Sequence, residues 1–288
     1  MEKVLVLGHR GLLGQALVKA LGPRAVVMQS PRLSASFPPD VEGYAAAAAR
    51  TMDELGPAWI INCAAFTQVD KAETQPEAAF ALNATLPRLL ATSASARGVG
   101  LVHISTDYVF DGASSRPYRE SDPPNPLSVY GKTKLEGERA VMDNASRAMV
   151  VRTAWLFGPG RKSFVDKMVE MAREGIVPKV VTDQVGSPSY TPHVAEAIVK
   201  LVDMGVTGIV HVVNTGMCSR YELAAQAIAL AGLDVRPVKV TSDYWPEAAA
   251  RPRFSALDTT RLRRLTGQGL PTWLEGLKQH LGSYPEGG

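Results

Sequence analysis

The sequence predicts an α/β protein with a doubly wound parallel sheet and a smaller C-terminal α/β unit. Two observations carry this prediction. Short apolar segments of strand length alternate with amphipathic segments of helix length over the first half of the chain, and a glycine-rich turn follows the first strand. Because parallel neighbours need a crossover connection, this alternation indicates βαβ units with helices on both faces of the sheet.

Each predicted element has a local reason. The first strand, Val4–Leu7, is a continuous apolar run typical of sheets buried on both faces, and the helix after it ends at Gly22-Pro23. The other predicted strands, which share this apolar character, are Ala25–Met28, Trp59–Ile61, Leu101–Ile104, Met149–Leu156 and Ile209–Val213. The predicted helices, several of which end at a glycine, are Gln15–Leu21, Tyr44–Leu55, Pro76–Ala96, Tyr130–Met142, Phe164–Arg173, Val194–Val202, Arg220–Ala231 and Thr272–Leu281.

The alternation becomes irregular in the second half of the chain. Residues 111–127 are crowded with Pro, Ser and Asp and predict a surface loop, and residues 182–192 predict a second loop. We therefore expect a first domain over residues 1–156, with residues 209–215 returning to its sheet, and a second domain over residues 157–288.

The composition excludes several classes of protein. Of the 288 residues, 45% are apolar and the net charge is only +3, which argues against disorder and against a nucleic-acid-binding surface. No apolar run is long enough to cross a bilayer, and no signal peptide is evident. Cys63 and Cys218 fit neither a disulfide framework nor a CxxC metal site, and the scattered histidines predict no metal site. We expect a cytoplasmic protein without nucleic-acid or membrane partners.

A glycine-rich turn links the first predicted strand to the first predicted helix. Gly8, Gly11 and Gly14 are spaced GxxGxxG, which differs from the commoner GxGxxG dinucleotide fingerprint. Glycines here let the backbone approach a pyrophosphate, whose charge then lies at the helix N-terminus. Alternatively, they only permit a tight turn and close helix packing. Their position favours the first interpretation and a Rossmann-like dinucleotide-binding domain.

Two further motifs indicate acid–base chemistry. Tyr130 and Lys134 are four residues apart and share one face of a predicted helix, where an ammonium group can stabilise a tyrosinate. Thr106 follows a predicted strand, at the sheet edge where open α/β sheets bind ligands. A solvated helix face and a strand-ending threonine are the ordinary structural alternatives. The combination with the glycine turn favours a catalytic site, and His103, inside the same strand, is interpreted as a hydrogen-bonded core residue.

These residues belong to a longer pattern that resembles the dTDP-4-dehydrorhamnose reductase family of the extended short-chain dehydrogenase/reductase superfamily. The segments that carry the resemblance, spread over about residues 3–262, are Gly8–Gly14, Asn62–Glu73, Ser105–Phe110, Asn125–Lys134, Arg152–Trp155, Asp183–Pro188 and Ala250–Pro252. The resemblance implies NAD(P)H-dependent reduction of the C4 ketone of a nucleotide-linked 4-keto-6-deoxy sugar, with dTDP-4-dehydro-L-rhamnose as the first candidate.

The resemblance also implies roles for individual residues. Tyr130 would donate a proton, Thr106 would polarise the carbonyl, and Lys134 would bind the nicotinamide ribose and lower the Tyr130 pKa. The implied cofactor-binding residues are Gly8, Arg10, Gly11, Leu12, Leu13, Gly14, Arg32, Asp40, Val41, Asn62, Cys63, Ala64, Ala65, Thr67, Asn83, Tyr130 and Lys134. The implied substrate-binding residues are Thr106, Asp107, Tyr108, Trp155 and Arg251, the last suited to a bidentate phosphate contact. Core packing for Trp155 and a local cap for Asn83 stay open as alternatives.

The sequence departs from the family pattern after the second predicted strand. Residues 29–32 contain no acid to bind an adenosine 2′-hydroxyl, whereas Arg10 and Arg32 could contact a 2′-phosphate. We therefore expect NADPH as the cofactor, with NADH still open. Phe66 and His193 also differ from the residues usual in the family, which concerns substrate details rather than the reaction.

Three other functions remain to be weighed. A sugar-nucleotide 4,6-dehydratase would place a glutamate after Asp107, where this chain has Tyr108. A reductase or 4-epimerase of another nucleotide sugar shares the Tyr/Lys pair and stays open as an alternative function. The sequence also leaves open whether the protein forms a homodimer. A non-catalytic, dinucleotide-binding regulatory subunit would be indicated by loss of the Thr, Tyr or Lys, and all three are present.

Overall fold

A six-stranded parallel sheet forms the centre of the molecule. The computed structural model describes residues 2–28, 39–244 and 248–282. Its strands are β1 (Val4–Leu7), β2 (Ala25–Val27), β3 (Trp59–Asn62), β4 (Gly100–Thr106), β5 (Ala148–Thr153), β6 (Leu156–Phe157), β7 (Lys179–Val181), β8 (Val185–Gly186), β9 (Ser189–Tyr190), β10 (Gly208–His211), β11 (Cys218–Ser219) and β12 (Val238–Val240). The central sheet has the order β10-β5-β4-β3-β1-β2, with every neighbouring pair parallel. The predicted α/β class with a doubly wound sheet is confirmed.

Helices cover both faces of this sheet. They are α1 (Leu12–Leu21), α2 (Val41–Leu55), α3 (Val69–Thr74), α4 (Pro76–Phe80), α5 (Leu86–Ser95), α6 (Val129–Asn144), α7 (Phe164–Arg173), α8 (Thr191–Asp203), α9 (Arg220–Leu230), α10 (Thr260–Thr266) and α11 (Trp273–Gly282). Side chains alternate along a strand, so Val4 and Val6 pack with α1 and α8, whereas Leu5 and Leu7 pack with α2 and α5. This double burial explains why the strands are continuously apolar. No helix in the described part of the chain is long and apolar enough to span a bilayer.

The structure corrects three predicted boundaries. The helix predicted over Pro76–Ala96 is α4 and α5 joined by a π-helical turn, Ala81–Thr85. The strand predicted to reach Leu156 ends at Thr153, because Trp155 adopts φ 45° and cannot continue an extended strand. The loop predicted over residues 182–192 contains β8 and β9 and the first residues of α8.

Smaller elements follow the central sheet in sequence. β6 pairs with β9, β8 with β11, and β7 with β12, in two-stranded sheets. α7, α9 and α11 pack together around buried apolar side chains such as Val165, Leu223 and Leu277. β10, which lies between these elements in the chain, pairs with β5 at the edge of the central sheet.

Candidate active site

A cavity of about 640 Å³ opens at the carboxyl edge of the central sheet. It lies where the connections of β1 and β3 leave the sheet in different directions, which is the position at which open α/β sheets bind ligands. The lining residues come from the glycine turn, the ends of β3, β4 and β5, the start of α6 and the segment before α7. They are Gly11, Leu12, Leu13, Gly14, Cys63, Ala65, Thr67, Ile104, Ser105, Thr106, Asp107, Tyr130, Lys134, Thr153, Ala154, Trp155, Leu156, Arg161, Lys162 and Ser163.

The glycine turn requires glycine for steric reasons. Gly8 has φ +72°, and a Cβ on it would lie 2.7 Å from the backbone nitrogen of Ala64. A Cβ on Gly14 would lie 2.3 Å from the Gly8 carbonyl oxygen. Gly11 is the N-cap of α1, whose first turn holds no acidic residue. The turn is thus closed tightly, and the N-terminus of α1 at the cavity wall is suited to an anion.

Thr106 and Tyr130 come together at one wall of the cavity. The Thr106 hydroxyl lies close enough to the Tyr130 phenol to affect its pKa, and the Tyr130 ring packs edge-on against Tyr108 with ring centroids 5.7 Å apart. Burial raises the pKa of Tyr130 above its usual value, although the nearby Thr106 hydroxyl opposes this rise. The phenol is therefore a proton donor that stays protonated until a strong base forms beside it.

The Asp107 carboxyl group holds the Thr106 side chain in place by a hydrogen bond. Its Oδ1 accepts a bond of 3.0 Å from the Thr106 hydroxyl, and its Oδ2 accepts one of 2.6 Å from Ser255. Burial raises the pKa of Asp107 to about 6, with the bonds from Ser255 and Thr106 opposing the rise. At neutral pH the group is mostly ionised, so it accepts both bonds and fixes the rotamer of Thr106.

Lys134 lies one helical turn after Tyr130 and is 2% exposed. Its Nζ donates to the Ile104 carbonyl oxygen at 2.6 Å and lies 3.3 Å from His103 Nε2. Burial lowers the pKa of Lys134 to about 8, although the Glu138 carboxylate opposes this shift. Burial of the phenol is the largest influence on the Tyr130 pKa in this structure, and a lowering of that pKa by Lys134 stays a prediction.

A buried ion pair anchors the same face of α6 one turn further on. Glu138 and Arg152 are joined at 2.6 Å, with side chains 3% and 2% exposed, and Ser105 also donates to the Glu138 carboxylate. The pair connects α6 to β4 and β5 directly beneath the catalytic candidates. Its members were not singled out from the sequence, since nothing in a local pattern shows that these charges meet.

Trp155 is held rigidly at the cavity wall. A Cβ on Gly186 would lie 2.5 Å from the Trp155 indole ring, and the Arg220 guanidinium carbon lies 3.7 Å from the ring centroid. The indole is thus enclosed between a glycine backbone and a cation, which is a favourable cation–π arrangement. Trp155 packs against buried apolar clusters and also lines the cavity, and its contact with substrate stays a prediction.

Three basic residues at this site were missed by the sequence reasoning. Arg161 and Lys162 line the cavity at its outer side and are exposed. The Arg220 side chain was given no role of its own, although the helix that it begins was predicted. Burial lowers its pKa, while Tyr108 and Asp107 oppose that shift. The proline- and glycine-containing turn before Arg161 is a local signal for a loop, but it does not show which cavity the loop faces.

Several predicted cofactor-binding residues do not line this cavity. Those not among its lining residues are Gly8, Arg10, Asp40, Val41, Asn62, Ala64 and Asn83. Asp40 caps α2 by accepting from Gly43 N–H at 2.8 Å, and Val41 is buried. Arg32 lies outside the described residues.

Asn83 is not a local cap, because its hydrogen bonds run to residues distant in the chain, and a cofactor-side bond of Asn83 stays a prediction. Its Oδ1 accepts from Phe66 N–H at 2.8 Å, and its Nδ2 donates to the Phe66 carbonyl oxygen and to Thr133 Oγ1. The buried carboxamide therefore joins the segment after β3 to α6. The π-helical turn that contains Asn83 places it there.

Arg251 and Tyr108 are not among the cavity-lining residues either. Arg251 forms a two-point ion pair with Asp70, at 2.8 and 3.2 Å, instead of presenting its guanidinium to the cavity. A carboxylate of the chain takes up the bidentate geometry of Arg251 in this structure, and the expected phosphate contact stays a prediction. Among the described residues, no three His, Cys, Asp or Glu side chains are grouped as metal ligands.

Comparison with known proteins places this geometry in a family. The model of the family described as RmlD substrate binding domain matches residues 1–285. A dTDP-4-dehydrorhamnose reductase of Mycolicibacterium smegmatis is 44% identical over 76% of this chain and 68% of that protein. A probable dTDP-4,6-dihydroxy-2-methyloxan-3-one 4-ketoreductase of Streptomyces antibioticus is 38% identical over 96% of this chain and 93% of that protein.

A solved structure extends the comparison to three dimensions. The dTDP-4-dehydrorhamnose reductase of Bacillus anthracis in complex with NADP is 33% identical and has a TM-score of 0.90, covering 98% of this chain and 99% of that one. With the family match over nearly the whole length, the chain belongs to the RmlD substrate binding domain family.

Proposed function

We propose that this protein reduces the C4 ketone of dTDP-4-dehydro-L-rhamnose to dTDP-L-rhamnose with NADPH. The observation that carries the proposal is that Thr106, Tyr130 and Lys134 line one cavity, with the Thr106 hydroxyl close to the Tyr130 phenol and Lys134 one turn along the same helix. This arrangement addresses one developing oxygen anion with two hydroxyl groups. The named activities of the relatives support the same reaction class.

The cavity fits a dinucleotide on steric grounds. The glycine turn brings backbone against the cavity where any Cβ on Gly14 would collide with Gly8. Gly11, Leu12, Leu13 and Gly14 would hold the pyrophosphate, and Cys63, Ala65 and Thr67 would line the path toward the nicotinamide. NADPH, when bound, supplies the hydride for the ketone carbon. The preference for NADPH over NADH stays a prediction, since it was based on Arg32 and on exposed Arg10.

The side chains of the site divide the proton chemistry between them. The Thr106 hydroxyl, which donates to Asp107 in this structure, would turn its proton to the substrate carbonyl oxygen and orient that oxygen. Tyr130 Oη gives its proton to that oxygen as alkoxide character develops, and the raised pKa of Tyr130 brings the phenol closer in basicity to the alkoxide. The Lys134 ammonium then lies one turn from the phenolate that remains and favours its charge.

The substrate would lie on the Trp155 side of the cavity. Trp155 offers an apolar ring face for the deoxysugar, since the ring is fixed by Gly186 and Arg220. Arg161 and Lys162 at the outer wall supply positive charge for the diphosphate. Arg251, paired with Asp70, would contact substrate only if that ion pair opened.

The test is a steady-state assay of NADPH oxidation with dTDP-4-dehydro-L-rhamnose. We expect Tyr130→Phe to lower kcat by about 10²-fold or more while NADPH affinity changes little. Tyr190→Phe removes the hydroxyl of another buried tyrosine that is not among the cavity-lining residues, and as the matched control it should keep wild-type turnover. Turnover of only a different dTDP-4-keto sugar would contradict the substrate assignment, and wild-type turnover by Tyr130→Phe would contradict the proton donor.

Two further expectations stay predictions. The resemblance leaves a homodimer open, which sedimentation analysis of the purified chain tests directly. The expected cytoplasmic location is tested by fractionation of the producing cell.

A further inference from the structure

The buried imidazole of His103 connects two parts of the site. His103 lies in β4 and is 0% exposed. Its Nδ1 lies 3.3 Å from Asn62 Nδ2, and its Nε2 lies 3.3 Å from Lys134 Nζ. Asn62 precedes the segment that would line the cofactor path, and Lys134 is the catalytic candidate on α6.

Both neighbours present N–H groups to the ring. Asn62 Oδ1 accepts from Ala64 N–H at 3.1 Å, which turns the Asn62 amide nitrogen toward His103. The Lys134 amine faces the opposite ring nitrogen. Burial and the charge of Lys134 hold the pKa of His103 well below its usual range, so the ring is neutral. A neutral imidazole has one acceptor nitrogen, so it cannot accept from both donors at once.

We propose that His103 is a positioning residue whose tautomer follows the charge of Lys134. While Lys134 is an ammonium, it donates to Nε2, His103 carries its proton on Nδ1, and the Asn62 amide has no acceptor on the ring. Once the amine has lost its proton to solvent, His103 carries its proton on Nε2 and accepts from Asn62 at Nδ1. One proton leaves the pair in this change, and the imidazole keeps one proton throughout.

This competition makes the Lys134 ammonium easier to deprotonate than burial alone would. The other groups around Nζ do not oppose it strongly. The Ile104 carbonyl oxygen accepts in either state of charge. Cys63 stays a neutral thiol, because burial raises its pKa to about 12, and the Glu138 carboxylate is already paired with Arg152. His103 is therefore the group at Lys134 whose hydrogen-bonding state can change with the charge.

The tautomer can be observed directly by long-range ¹H–¹⁵N NMR of the full-length chain between pH 6.5 and 10, with His103 assigned by its absence in His103→Gln. We expect the Nδ1–H pattern at low pH and the Nε2–H pattern at high pH, with a midpoint near the pKa of Lys134, which is about 8. Lys134→Met removes the competing donor and should show Nε2–H at every pH. The same tautomer throughout in both proteins would overturn the proposal.

Two substitutions of His103, each able to replace only one ring nitrogen, distinguish the roles of Nε2 and Nδ1 in the pH profile of kcat/KM. The His103→Gln carbonyl oxygen can reach the Lys134 amine and accept from the ammonium without competition. The alkaline limb of the kcat/KM profile should therefore shift to higher pH by about one unit. The His103→Asn side chain reaches only toward Asn62, so its alkaline limb should lie at or below that of the wild type. Equal movement of the limb in both variants would refute the assignment.

This pH profile rests on the proposed reductase function, whereas the NMR measurement does not. Absence of NADPH oxidation by the wild-type protein would remove the function and leave the tautomer change standing. A reductase with an unchanging His103 tautomer would remove only the role of His103. The Lys134→Met spectrum tests the proposal even if a His103 variant does not fold.

Discussion

Burial of a charged lysine predicts a pH-dependent loss of stability that can be calculated from the structure. The Lys134 amine has a pKa of about 8 in the folded protein, against the usual lysine value of 10.5. Each unit of pKa difference corresponds to about 1.4 kcal/mol. The charged form therefore lowers the free energy of unfolding by about 3 kcal/mol at pH 7.

The sign of the pH dependence follows from the order of the two pKa values. Because the folded value is the lower one, the unfolded chain binds more protons between about pH 8 and pH 10.5. The destabilisation is complete below this window and disappears as the pH rises through it. At pH 9.5 about 1.4 kcal/mol of it remains, so about 2 kcal/mol is recovered between pH 7 and pH 9.5.

The perturbation is Lys134→Met, which keeps the length of the side chain and removes the charge. The free energy of unfolding in urea is measured at pH 7 and pH 9.5 for both proteins, and titrations elsewhere in the chain cancel in the difference. The free energy of unfolding of the variant minus that of the wild type should be larger at pH 7 than at pH 9.5, by about 2 kcal/mol. Lys132→Met, at an exposed position of the same helix, is the control and should show no such change. A difference between wild type and Lys134→Met that is equal at both pH values would refute the reasoning.

Three further predictions concern the glycine turn, the buried ion pair and the substrate side. Gly14→Ala places a Cβ 2.3 Å from the Gly8 carbonyl oxygen, so the turn must open and the Kd for NADPH, measured by fluorescence titration, should rise about tenfold or more. Glu138→Gln leaves its buried arginine partner without a counter-charge and should lower the free energy of unfolding by about 3–5 kcal/mol, whereas Glu136→Gln in an exposed pair should lower it by about 0.5 kcal/mol or less. Arg220→Leu removes the cation from the tryptophan face and should raise the KM for the nucleotide sugar with little change in the KM for NADPH, and an equal rise in both would contradict its place on the substrate side.

The fold could be predicted because its signal is local. Strands buried on both faces are apolar throughout, and glycines or prolines end the helices between them, so the chain order of elements follows from short windows of sequence. The site was predictable where its residues fall on adjacent turns or at strand ends, as with Tyr130, Lys134 and Thr106. The role of Asn83 could not be decided, because its partners Phe66 and Thr133 meet it only through the π-helical turn.

Contacts between distant segments explain the rest of what was missed. The stacking of Arg220 on Trp155 depends on the unusual φ of Trp155 and on the missing side chain at Gly186. Neither has a signature in a window of sequence. The same holds for Arg251, whose suitability for a phosphate is correct chemistry, but whose carboxylate partner Asp70 is far away in the chain.

Three residues of α6, rather than the Tyr/Lys pair alone, position this helix against the sheet. Residues 130, 134 and 138 are each four positions apart and share one face of α6. That face contacts three points of the sheet edge in order, since Tyr130 meets Thr106, Lys134 meets the Ile104 carbonyl oxygen, and Glu138 meets Ser105 and Arg152. Only the last contact is a fully paired interaction of opposite charges. Because a helix is rigid over two turns, fixing Glu138 also fixes the height and rotation of the two groups before it, which leaves them free to change protonation without moving.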